Sequence, residues 1–259
     1  MNSLDAVILA GGKGSRIKKF LNGKPKPLVK ISNYYFLDLL IGNISKYNFS
    51  KIYILAGYRG SHIYKKYHNK FVNFVPIECI IEKKPLGTGG ALSLLKKKIV
   101  NNFFLFNGDT IFDFNYLDML KYKKRGEHVI ALKKGRFAHK GNKIKNLSLL
   151  KKSYLEISKR KNQKIYINGG VYLFDKSILK KISKRKISLE DEIIYSLILR
   201  KKIKGFFKNS FFYDIGTLKD YKSANKKLIS YLRRPALFID RDNTINEDNG
   251  YTYKFQNFN

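Results

Sequence analysis

The chain holds a single cysteine, Cys79, among 259 residues. One thiol excludes an internal disulfide and a cysteine-built zinc site, and it fits a reducing cytoplasm. No apolar run approaches the ~20 residues that a bilayer-crossing helix needs. The opening MNSLDAVILAGG has no basic segment ahead of its apolar run, so it reads as a motif and not as a signal peptide. Acidic residues are scarce. Against 53 Lys and Arg stand 19 Asp and Glu, for a formal net charge of +34. That balance suits nucleic acid. However, the lysines are spread along the whole length, and Asn, Ile, Tyr and Phe are plentiful with them. The pattern reads as compositional drift, so nucleic acid is not the expected partner, although a positive field still draws anionic substrates. The apolar fraction, 44%, is ordinary for a globular chain and serves one core, or one domain with a small appendage.

Two common phosphate loops are also missing. A Walker A loop needs Gly-Lys followed by Ser or Thr, and here Gly14 follows Lys13. A dinucleotide loop needs a third glycine where Ile17 stands. What is present is AVILAGGKGSRIKK at 6–19, followed by KPKPLVKI at 24–31. The apolar run to Ala10 reads as a buried parallel strand. Gly11, Gly12 and Gly14 let backbone N–H groups approach a ligand. Arg16, Lys24 and Lys26 then make a site for several negative charges, so a polyphosphate is the expected guest. A plain strand-to-helix turn explains the glycines alone but not the cations beside them.

Strand-like and helix-like segments alternate. Strands are expected at 5–10, 51–58, 76–82 and 103–109, with helices at 34–47, 62–71 and 90–98. The second half adds strands at 129–134, 165–174 and 204–216, and helices at 188–201 and 220–232. Ser188 is the expected N-cap of the first of these helices, with Asp191 three residues on. The expected fold class is α/β, a doubly wound and mostly parallel Rossmann-like sheet. Its ligands collect beyond the carboxyl ends of the strands.

Four further motifs follow in order: EKKPLGTGGAL at 82–92, NGDT at 107–110, INGGVYLF at 167–174 and FYDIGTLKDY at 212–221. Each alone is an ordinary turn or cap. Together with the first loop they resemble the sugar-phosphate nucleotidyltransferases across roughly residues 4–230. Within that family the likeness is strongest to the D-glycero-D-manno-heptose 1-phosphate guanylyltransferases. The resemblance implies the nucleotide-diphospho-sugar transferase fold and an enzyme that joins an NTP to a sugar 1-phosphate with release of pyrophosphate. GTP and D-glycero-D-manno-heptose 1-phosphate are the implied substrates, with mannose and glucose 1-phosphate as alternatives. A basic nucleic-acid-binding protein on a degenerate transferase fold is the reading from another class.

The resemblance also assigns roles. Leu9, Gly11, Gly12 and Gly14 wrap the nucleotide, and Glu82 and Gly87 lie where the base is read. Arg16 and Lys26 are the catalytic cations on the phosphates. Asp109 and Asp214 hold Mg²⁺. Asn168, Gly169, Lys159 and Glu190 hold the sugar phosphate. The family usually carries Glu-Lys ahead of the sugar-binding Asn, and here Ser158 precedes Lys159. The tail PALFIDRDNTINEDNGYTYKFQNF, 235–258, resembles the opening of haloacid-dehalogenase-type phosphatases, in which Asp240 and Asp242 would be the nucleophile and the acid/base. The expected domains are thus 1–232, the transferase, and 233–259, a truncated phosphatase start, well short of the ~50 residues a stable domain needs. Expected partners are the NTP and the sugar phosphate in a cytoplasmic setting. No membrane span is expected, and a homo-oligomer is left open.

Overall fold

Strand β1, Asp5–Ala10, is apolar from Ala6 onward because both its faces are covered. The computed structural model describes residues 4–14, 17, 21, 23–135, 146–158, 164–233 and 239–240. After β1 come the short strands β2 (Lys30–Ile31) and β3 (Tyr34–Tyr35), helix α1 (Phe36–Ile44), β4 (Lys51–Ala56), α2 (Gly60–Tyr67), β5 (Phe71–Val72) and β6 (Val75–Ile81). The helical turn α3 (Gly87–Gly90) leads through a 3-10 segment to β7 (Phe103–Asn107) and β8 (Thr110–Phe112). The second half holds β9 (His128–Lys134), β10 (Leu147–Leu149), β11 (Leu155–Ile157), β12 (Tyr166–Phe174) and α4 (Ser177–Lys181). A π-helical turn, Leu189–Ile194, runs into α5 (Tyr195–Leu199), followed by β13 (Ile203–Phe207), β14 (Phe212–Asp214) and α6 (Leu218–Leu232).

The main sheet has ten strands in the order β11-β10-β12-β7-β1-β4-β6-β5, with β9 pairing both β12 and β13. Its centre is parallel: β7, β1, β4 and β6 run the same way. At β12 the direction reverses, since β12 lies antiparallel to both β7 and β9. The sheet is thus the expected doubly wound α/β sheet in its first half and mixed in its second. Side chains alternate between two apolar layers. Ile8, Phe104 and Phe106 face α1 and α6 on one side. Val7, Leu105 and Tyr172 face the 91–95 segment, α4 and α5 on the other.

Several expected boundaries move for physical reasons. Tyr34 and Tyr35 pair with Lys30 and Ile31 instead of opening the helix. Asp38 then caps α1 by accepting the Tyr35 N–H at 2.8 Å. The expected strand at 103–109 stops at Asn107, so Asp109 lies in the turn between β7 and β8. The expected strand at 204–216 is two strands with separate partners, β13 on β9 and β14 on β8. The GTGG glycines are themselves helical. Strands β8, β10 and β11 were not expected. Of the tail, Ile239 and Asp240 are described; both are exposed and outside any strand, and the rest lies outside the described residues.

Candidate active site

Five of the expected residues, Leu9, Gly12, Lys26, Asp109 and Glu190, line one cleft of about 180 Å³ at the carboxyl edge of the parallel strands. Lys26 arrives there on a rigid segment. Pro25 and Pro27 flank it, and residues 26–28 form a single 3-10 turn. Its ammonium meets the Asp109 carboxylate at 2.5 Å. Gly14 leaves room for this arrangement, because a Cβ there would press on the Lys26 stem at 2.9 Å.

Asp214 joins Asp109 through strand pairing. β14 lies antiparallel to β8 with Asp214 opposite Thr110, and the Ile215 N–H donates to the Asp109 carbonyl at 3.0 Å. Asp214 reaches solvent, but protein crowds it. That desolvation, and then the Asp109 charge, push its pKa up to about 7 against the pull of Lys26. One ammonium does not balance two carboxylates here. Among the described residues no group of three or more His, Cys, Asp or Glu forms a metal cage. Mg²⁺ needs none, since it takes one or two carboxylates and completes its shell with phosphate oxygens and water. The two carboxylates fit that use.

Beside Glu190, Asn168 is held by its neighbours. Its Nδ2 donates to Tyr172 Oη at 2.6 Å and to Glu190 Oε1 at 3.0 Å, and its Oδ1 accepts the Gly170 N–H at 2.9 Å. The register of β12 against β9 shifts between Asn168 and Tyr172, and this bulge accompanies the two glycines. Gly169 sits where a Cβ would meet the Phe112 ring at 2.6 Å. Burial raises the pKa of Glu190, and the Asn168 hydrogen bond opposes the rise. Glu190 stands on the π-helical turn. As expected, Ser188 caps this turn, its Oγ accepting the Asp191 N–H at 3.1 Å.

Glu82 lies against the first glycine loop. It follows β6, and its Oε2 accepts the Leu86 N–H at 2.9 Å. Burial raises its pKa, with that hydrogen bond opposing. A Cβ on Gly11 would come within 2.6 Å of Glu82 Oε1, so only glycine lets the first loop lie against it. Gly87 also supports the fold beside the cleft. It packs on Ile187, where a Cβ would meet the carbonyl at 2.5 Å. The loop thereby supports the segment that carries Glu190. Arg16 and Lys159 lie outside the described residues.

Thr88, Asn107 and Tyr172 were not among the expected residues. Thr88 and Asn107 line the cleft. Thr88 Oγ1 accepts the Leu189 N–H at 2.9 Å, and Asn107 hydrogen-bonds the Tyr172 hydroxyl. Thr88 and Asn107 stand inside the GTGG and NGDT motifs, which were signal enough. Tyr172 is fully buried in an apolar strand and gives no local signal.

Residues 5–140 match the family described as nucleotidyl transferase. The chain is 31% identical over 241 residues to the D-glycero-alpha-D-manno-heptose 1-phosphate guanylyltransferase of Aneurinibacillus thermoaerophilus, covering 88% of this chain and 100% of that one. It is 30% identical to the Campylobacter jejuni protein of the same name, over 84% of this chain and 97% of that one. Among solved structures it resembles HddC from Yersinia pseudotuberculosis, with a TM-score of 0.71, 29% identity, and coverage of 87% of this chain and 99% of that one. A second structure of that protein, complexed with GMP-PN, matches with the same TM-score. The chain belongs to the nucleotidyl transferase family.

Proposed function

We propose that this nucleotidyl transferase moves a guanylyl group from GTP to D-glycero-D-manno-heptose 1-phosphate. An oxygen of the sugar phosphate forms the new bond to the α-phosphorus, the bond from that phosphorus to the β-phosphate bridge breaks, and pyrophosphate leaves in line. The attacking phosphate is already ionised, so no general base is needed. Catalysis is positioning and charge neutralisation. The observation that carries the reading is the cleft itself, which brings Lys26, Asp109 and Glu190 together, with Lys26 paired to Asp109 and Glu190 accepting from Asn168. The two guanylyltransferase relatives near 30% identity support the choice of base and sugar.

Each residue then has a task. Lys26 holds the phosphates near the reacting centre, and Arg16 takes up charge on the departing pyrophosphate. Leu9, Gly11, Gly12 and Gly14 border the nucleotide, with Glu82 and Gly87 toward its base. Asn168, Gly169 and Glu190 orient the sugar, and Lys159 lies toward its phosphate. Asp109 and Asp214 would hold Mg²⁺, which supplies a Lewis acid for phosphate oxygens. No helix among the described residues is long and apolar enough to cross a membrane, and a cytoplasmic setting goes with soluble substrates.

Pyrophosphate release, measured for four NTPs against heptose, mannose and glucose 1-phosphates, tests the assignment. GTP with the heptose phosphate should give the highest kcat/KM. A higher value for another pair would reassign the substrates. Release with no pair at all would overturn the function.

A further inference from the structure

The π-helical turn Leu189–Ile194 borders two cavities. Leu189 and Glu190 line the active cleft, while Glu192 and Ile193 line a second cavity of about 280 Å³. Lys181, Arg185, Arg200 and Lys202 also line it. The one carboxylate among its described lining residues, Glu192, is already engaged. It accepts Arg185 Nη2 at 3.3 Å and the Ser188 N–H at 2.9 Å. A buried histidine adds a neutral donor. His128 Nδ1 accepts the Asp175 N–H at 3.1 Å. Burial pulls its pKa down to about 4, so at neutral pH the ring carries its one proton on Nε2. The hydroxyls of Ser177 and Ser196 stand in the same lining, and Ile178, Ile187 and Leu197 make part of it aliphatic.

On so basic a chain, a few lysines beside a hollow mean little. What sets this one apart is the combination of cations, a buried N–H donor, two hydroxyls and an aliphatic wall in one concave place. We propose that this cavity is a second anion site for a small organic phosphate, and that filling it changes how the active cleft holds its sugar phosphate. The arginines and lysines suit the phosphate head. The aliphatic wall suits an apolar body, which an inorganic anion lacks.

The coupling follows from the segment between the cavities. The Arg185 carbonyl lies against Gly90, where a Cβ would approach it to 2.1 Å. The Ile187 carbonyl accepts the Gly89 N–H at 2.9 Å. Two residues on, the Leu189 N–H donates to Thr88, and Glu190 holds Asn168. A phosphate that draws Arg185 from Glu192 therefore acts on the carboxylate that anchors the start of this turn. Binding at either site must then affect the other equally. The binding claim stands without the proposed reaction. The coupling claim rests on it.

Phenyl phosphate and inorganic phosphate, titrated calorimetrically into the full chain at fixed ionic strength without metal, test the binding. Phenyl phosphate should bind more tightly than inorganic phosphate. Arg200→Gln/Lys202→Gln should weaken phenyl phosphate binding at least ~10-fold, at an unchanged melting temperature, and Lys26→Ala should leave it within ~3-fold. Equal affinity in the wild type and the double variant would overturn the site, as would loss confined to Lys26→Ala. In the transferase assay, saturating phenyl phosphate should shift the sugar-phosphate KM at least ~3-fold in the wild type but not in the double variant, whose kinetics without the probe should match the wild type. Binding as expected with an unmoved KM would overturn the coupling. A chain that binds the probe but transfers nothing would overturn the proposed reaction and leave the anion site standing.

Discussion

Lys26 faces Asp109 at 2.5 Å while Asp214, close by, has its pKa pushed up to about 7. At the scale of single residues this imbalance has a measurable sign. The folded pKa of Asp214 lies above its ordinary value of 3.8, so without metal the folded state holds the extra proton. The associated stability is fully present below about 4 and is lost as pH rises through about 7. Asp5, raised to about 6 by burial, acts in the same direction, so only a difference between variants isolates Asp214. Melting curves in EDTA should show the wild type losing more stability between pH 5 and pH 8 than Asp214→Asn does. Mg²⁺ should restore the wild type at pH 8 and leave the variant unmoved. Equal pH slopes would remove the electrostatic account of this carboxylate. Tyr172→Phe deletes an acceptor of the Asn168 amide. The expected cost is about 1 kcal/mol, read as a several-fold rise in sugar-phosphate KM with kcat nearly unchanged. A fall in kcat alone would refute a positioning role. Lys26, Asp109, Asn168 and Glu190 were legible because each stands in a motif whose chemistry is local. Tyr172 was not, because a tyrosine whose hydroxyl serves the site has the same spacing as any core residue of β12.

Elements set how these residues meet. Asp109 and Asp214 are neighbours because β14 pairs with β8, and local periodicity names no partner for a strand. The stretch at 204–216 looks continuous for the same reason: Phe206, Phe207, Phe211 and Phe212 all favour strand, and the change of partner between β13 and β14 leaves no mark in the spacing. The helix over 188–201 was legible from its cap and its apolar positions. Its π-helical first turn, which aims Glu190 inward, was not. The β5–β6 hairpin shows a local conflict. Its turn residues Asn73 and Phe74 have φ of 46° and 64°, and Phe74 is 98% exposed. Such turns favour Asn-Gly, and a left-handed non-glycine residue costs roughly 1–2 kcal/mol. Phe74→Gly should therefore raise the melting temperature by about 2–4 °C without changing turnover. A lower melting temperature would show that the ring makes stabilising contacts that outweigh the strain.

For the molecule as a whole, the parallel centre of the sheet was legible from the alternation of apolar strands and helices up to residue 109. The antiparallel half was not, since a buried strand has the same apolar spacing in either direction. The C-terminal tail is proposed as a unit separate from the transferase. A chain lacking residues 235–259 should keep kcat and KM within ~2-fold, and a large loss would make the tail part of the transferase. The central claim is that the cleft around Lys26, Asp109 and Asp214 performs nucleotidyl transfer to a sugar 1-phosphate. Its most direct test is pyrophosphate release from GTP with D-glycero-D-manno-heptose 1-phosphate and Mg²⁺, comparing the wild type with Asp109→Asn at matched fold by circular dichroism. The account predicts release that requires the sugar phosphate and falls at least ~100-fold in the variant. Release that continues without the sugar phosphate, or at the wild-type rate in Asp109→Asn, would contradict it.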